Sequence, residues 1–117
     1  VSRDPTDRLR DILDCIRKAR NADRLLLRGD EQGDQALVET AFDAVERNLF
    51  VIGEAAKDLP DDVLDLAPEV DWKAVKGLRD VLGHEYFRIV PAIVHTTVRK
   101  NLDPLETAVV RILEQQF

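Results

Sequence analysis

The sequence predicts an all-α protein, an antiparallel bundle of four to five helices that pairs with a second copy of itself. Three observations carry this expectation. Apolar residues recur at intervals of three and four along most of the chain, and no stretch alternates convincingly with a period of two. Asp-Pro, Gly and Pro signals cut the chain into helix-sized segments. One middle segment carries more apolar residues than a single packing partner needs. At 117 residues the chain reads as one domain spanning 1–117, large enough to bury a core without metals or disulfides.

Asp4-Pro5 reads as an N-cap with proline in the first helical turn, and Asp7 stands where a carboxylate favours a helix start. Leu9, Ile12, Ile16, Ala19 and Leu26 then repeat at helical spacing as far as Gly29, the expected stop, with 29–33 as a loop. Cys15 falls at the margin of this stripe and reads as a small core residue.

A second helix is expected from Gln35 to Asp58. Its apolar positions include Val38, Ala41, Val45, Leu49 and Ile52, and Phe50 points away from that stripe. A helix buried on two sides, inside the domain and against a partner subunit, accounts for the excess. Asn48 sits within the stripe and therefore needs a hydrogen bond, in the core or across to the Arg79–His84 region.

Pro60 ends this helix, and 61–66 reads as a short helical turn before Pro68. Asp71 caps a third helix that starts at Trp72 and continues through Val75, Leu78 and Leu82. Pro91 suits the first turn of a fourth, with Ile93, Val94, Thr97 and Val98 as its packed side and His95 facing solvent. Asp103-Pro104-Leu105-Glu106 reads as a restart, followed by Leu105, Ala108, Val109 and Ile112 on the last packed face.

Composition narrows the function. The lone Cys15 leaves no internal disulfide and fits a reducing cytoplasm. No apolar run approaches the roughly 20 residues of a membrane span, and the first residues lack a signal-peptide pattern. A net charge of −6 argues against a protein that coats nucleic acid through general phosphate contacts. It leaves room for an RNA-cleaving site with a local cluster of positive charge.

That cluster has a candidate in Arg79-Asp80-Val81-Leu82-Gly83-His84-Glu85-Tyr86, which gathers a guanidinium, carboxylates, an imidazole and a phenol inside an otherwise apolar run. On a regular helix Asp80 and His84, at i and i+4, share one face, and Arg79 and Tyr86 share another. No metal-ligand spacing, phosphate-cradling glycine loop or nucleophile with its own base is present, so no metal or cofactor is expected. His, Arg and Asp are the set that metal-free phosphodiester cleavage needs. His84 exchanges a proton near neutral pH, Arg79 holds non-bridging phosphate oxygens, and Asp80 orients the imidazole. One such group contributes about 10²–10⁴-fold, so two copies facing each other across a dimer axis would supply both base and acid. The same spacing equally describes a helix-end salt-bridge cluster in a purely structural helical dimer.

The order Trp72-Lys-Ala-Val-Lys-Gly77-Leu-Arg79-Asp80-Val-Leu-Gly-His84-Glu-Tyr86-Phe87, preceded by Arg47-Asn48-Leu49-Phe-Val-Ile-Gly53-Glu54-Ala55-Ala56-Lys57, resembles the HepT-like branch of the HEPN domain families. The resemblance covers nearly the whole chain. It implies a toxin of a toxin–antitoxin pair, a metal-independent endoribonuclease acting as a homodimer on RNA in the cytoplasm. It implies that Arg79 and His84 carry catalysis and that Asp80 assists. It also implies that Tyr86 is modified with AMP by a minimal nucleotidyltransferase antitoxin, which would put bulk and phosphate charge where RNA binds. Asp80 departs from the family's usual Asn and adds negative charge beside a phosphate, an expected loss of activity. Lys73 and Lys76 fall on the Asp80–His84 side, as RNA contacts that offset this charge or as a solvated face. A non-catalytic subunit that holds a nucleotide or docks a nucleotidyltransferase is the alternative the acidic charge favours.

Overall fold

A computed structural model describes residues 4–83 and 88–116. They form α1 (Pro5–Gln32), α2 (Gln35–Lys57), α3 (Asp61–Leu64), α4 (Trp72–Lys76), a 3-10 helix (Leu78–Leu82) and α5 (Pro91–Gln116), with no strand among them. The all-α expectation holds.

The long helix α1 is central, with α2 on one side and α5 on the other. It starts as expected, with the Asp4 carboxylate accepting from the Asp7 N–H at 3.1 Å. It does not stop at Gly29. The helix continues to Gln32 and ends on Gly33, whose φ of 67° suits glycine. The Gly33 N–H donates to the Asp30 carbonyl and the Asp34 N–H to the Gly29 carbonyl, a Schellman closure. Gly29 is instead a packing residue. A Cβ there would meet the Asp34 carbonyl oxygen and the Val38 backbone and side chain at 3.1 Å, so its bare backbone lets α2 fold back directly.

Asp34 caps α2 by accepting from the Leu37 N–H at 3.1 Å. Val38, Ala41, Val45, Leu49, Ile52, Ala55 and Ala56 bury the stripe read from the sequence. Asn48 is half-buried and donates to the Ala44 carbonyl one turn back at 2.8 Å, so its amide is satisfied within its own helix. Beyond α2, Leu59, Val63, Leu64 and Ala67 enter the core, and the buried Trp72 indole donates to the carbonyls of Leu64 and Ala67 at 3.0 and 3.2 Å. That indole ties the 58–71 connection to the start of α4.

The fourth and fifth predicted helices are one. The helix α5 runs through Pro104, although an interior proline forfeits a backbone bond and costs about 3 kcal/mol. Leu102 and Leu105, on either side, are fully buried, and Arg20 of α1 grips Asp103 and Glu106 at 2.7 and 2.8 Å. Tertiary packing overrides the local break. The start of α5 is also phased differently from the expectation. Val94 and Val98 are buried as expected, but Ile93 is 63% exposed and His95 is half-buried with its Nδ1 2.6 Å from the Asp23 carboxylate of α1. Asp23 is 4% exposed, and its second oxygen is buried without a hydrogen-bond partner among the described residues. No helix among the described residues is long and apolar enough to cross a membrane.

Candidate active-site cleft

The third helix expected from the sequence splits just ahead of Arg79 and Asp80. The α-helix ends at Lys76, Gly77 caps it, and Leu78–Leu82 continue as a tighter 3-10 turn. Gly83 then leaves the helix with φ 73° and ψ −176°, so the single helical face expected for Asp80 and His84 stops short of His84. Two glycines within seven residues explain the break, because each lowers the cost of leaving helical geometry. His84, Glu85, Tyr86 and Phe87 lie outside the described residues.

Gly53 sets the position of this segment. A Cβ on it would stand 2.9 Å from the Lys76 carbonyl oxygen and 3.1 Å from that of Val75. The α2 backbone therefore lies directly against the C-terminal end of α4, closer than any side chain would permit. Leu78, 3% exposed, pins the 3-10 turn into the core beside this contact, and Arg79 and Asp80 are turned outward.

Between α2 and this turn lies a cleft of about 300 Å³. Leu49, Phe50, Gly53, Glu54 and Lys57 line it from α2, and Lys76 to Asp80 line it from the other side. Lys57, Lys76 and Arg79 outnumber Glu54 and Asp80, so the cleft is locally positive on a chain of net charge −6. Lys57 and Glu54 pair at 2.8 Å. The Arg79 Nε is 3.9 Å from Asp80 Oδ1, the limit of an ion pair, with side chains 59% and 66% exposed. At that distance and exposure the pair adds little stability and leaves the guanidinium available. Lys76 lines the same cleft as Arg79 and Asp80, whereas Lys73 is exposed and does not line it.

Phe50, which the sequence shows only as an aromatic off the main stripe, is the new member of the site. The guanidinium carbons of Arg79 and Arg47 stand 5.5 and 5.7 Å from its ring centroid. Arg47 is detectable in retrospect, because i and i+3 are helix neighbours; Arg79 comes from a distant segment. A second cleft, of about 270 Å³, runs between Val81–Gly83 and the start of α5 and is lined by Phe42, Val81, Ile89 and Ile93, among others. Cys15 is buried in the core, and burial pushes its thiol pKa up, away from a reactive thiolate.

A family described as ribonuclease HepT-like matches residues 7–112. Among relatives, "Probable ribonuclease HepT" of Thermococcus cleftensis is 33% identical over 106 residues, 91% of this chain and 93% of its own. "Putative RNase TTE0752" of Caldanaerobacter subterraneus subsp. tengcongensis is 40% identical over 73 residues, 62% of this chain and 65% of that relative, short of two thirds of its length. "Putative RNase MJ0127" of Methanocaldococcus jannaschii is 54% identical over 46 residues, 39% of this chain and 38% of its own. No solved structure matches the chain.

Proposed function

The chain belongs to the ribonuclease HepT-like family, and on that premise we propose that it is a metal-independent endoribonuclease, the toxin of a toxin–antitoxin pair. The observation that carries the reading is Arg79, an exposed guanidinium on the rim of a locally positive cleft whose walls are held together by Gly53. Arg79 binds the non-bridging oxygens of a phosphodiester and stabilises the charge that builds there. His84 removes the proton of the ribose 2′-hydroxyl, whose oxygen bonds to phosphorus as the bond to the 5′-oxygen breaks. A second imidazole returns a proton to that leaving oxygen, which gives a 2′,3′-cyclic phosphate and a free 5′-hydroxyl. Asp80 orients His84, and Lys76 adds attraction for the RNA backbone.

The two-imidazole requirement calls for a homodimer, since the chain holds only His84 and His95, and His95 is committed to Asp23. Ile93 and Val81, both exposed apolar side chains, support a partner surface near the start of α5. Neutralisation proceeds by transfer of AMP to Tyr86 from a partner nucleotidyltransferase, or by docking of that partner. A non-catalytic subunit that holds a nucleotide or docks a partner is the second reading. The Asp80 carboxylate beside Arg79 favours it, because it repels the phosphate that Arg79 attracts.

Incubation of RNA with the protein, with and without chelator, separates the two. Cleavage that persists in chelator and falls at least 10²-fold in both His84→Ala and Arg79→Ala supports the enzyme. Nucleotide binding without cleavage supports the second reading. A monomer in sedimentation at micromolar concentration would contradict the composite site.

A further inference from the structure

Among the described residues neither burial nor a close ion pair fixes the Arg79 guanidinium, which is more than half exposed and has its Nε 3.9 Å from Asp80 Oδ1. The Phe50 ring lies close to it, 5.5 Å from the guanidinium carbon to the centroid. Arg47, one turn earlier on α2, stands 5.7 Å from the same centroid. Both lie within the roughly 6 Å over which an aromatic face attracts a cation. Phe50 is half-buried on a helix whose flanking Leu49 and Ile52 are at most 1% exposed, so the ring is the rigid member and the arginines are the mobile ones. Two guanidiniums on one ring repel each other, and an anion with more than one charged centre relieves that repulsion. A polynucleotide, with phosphates in series, is such an anion.

We propose that Phe50 is the positioning residue for Arg79 and that Arg47, held on the same ring, is a second phosphate-binding guanidinium. The site then grips RNA through two phosphates, the reacting one and a neighbour. This rests on the RNA-binding part of the function proposed above, and two of its three measurements do not need cleavage. The first is the NMR signal of the arginine Nε–H groups. In the wild type the Arg47 and Arg79 signals are displaced by the ring; Phe50→Leu returns both to ordinary positions and Phe50→Tyr leaves them displaced. Signals unmoved in Phe50→Leu would overturn the positioning role.

The second is the salt dependence of binding to a 2′-O-methyl oligoribonucleotide, which cannot be cleaved. Arg47→Ala lowers the log–log salt slope by about 0.7, the loss of one phosphate contact to a single strand. An unchanged slope, or no binding by the wild type, would overturn the second contact. The third is kinetic. Phe50→Leu lowers kcat on the order of tenfold, between the few-fold worth of an exposed cation–π contact and the ~10²-fold cost of a misplaced group. Phe50→Tyr restores it, and Arg47→Ala raises KM with kcat unchanged. A wild type that binds RNA without cleaving it ends the enzymatic reading, while the NMR and salt results still decide the clamp.

Discussion

Gly53→Ala is the substitution that weighs local preference against site geometry. Gly53 is inside α2, where alanine is the better helix former by about 0.8–1.0 kcal/mol. The added Cβ, however, would stand 2.9 and 3.1 Å from two backbone carbonyl oxygens, and backbone yields less readily than a side-chain tip. Overpacking of this kind costs about 1–3 kcal/mol, so the net destabilisation is roughly 0–2 kcal/mol. The displacement falls on Lys76 and, through Gly77, on Arg79, which moves the guanidinium away from Phe50. A misplacement near 1 Å can cost about 10²-fold in rate, so activity falls by far more than stability. Urea unfolding and RNA cleavage measured on the same preparation read both quantities. A variant about 1 kcal/mol more stable than the wild type with full cleavage would refute the close contact between α2 and α4.

Trp72→Phe keeps a buried ring but removes one donor from two carbonyls that also accept from the Ala67 and Val70 N–H groups, and is expected to cost about 0.5–1.5 kcal/mol in urea unfolding. His95→Ala leaves the Asp23 carboxylate buried without its partner, an expected loss of about 1–3 kcal/mol. Adding Asp23→Leu recovers part of that loss, whereas simple additivity of the two would contradict the pairing. Cys15 reacts with thiol reagents far more slowly in the native protein than in urea at pH 8. Burial raises its pKa, so the contribution of the neutral thiol is complete below the unfolded thiol's pKa and is lost as pH rises through the folded one. Equal labelling rates would show the thiol to be accessible.

Helix identity was legible because α1, α2 and α5 each bury one stripe, and that stripe is a periodic signal in the sequence. The ends were read less well, for reasons that lie elsewhere in the chain. Gly29 looks like a stop until α2 is seen crossing it, and Pro104 looks like a break until Leu102 and Leu105 are seen buried. The buried Asp23 was not read from the sequence at all, and His95, expected to face solvent, meets it because of the phase of α5. In the cleft, residue type singles out Arg79 and Asp80 from the sequence, but their geometry is not legible there. The helix they were assigned to ends at Lys76, and Phe50 joins them only because Gly53 brings two distant segments together.

The most direct test of the chemistry replaces one 2′-hydroxyl. An oligoribonucleotide cut by the protein in chelator is compared with the same strand carrying a single 2′-deoxy sugar on the 5′ side of the cut linkage. Attack by the 2′-oxygen predicts a cyclic phosphate end on the first strand and no cut at that linkage in the second. Cleavage of the deoxy linkage, or dependence of the first reaction on a free divalent ion, would contradict the roles given to His84 and Arg79.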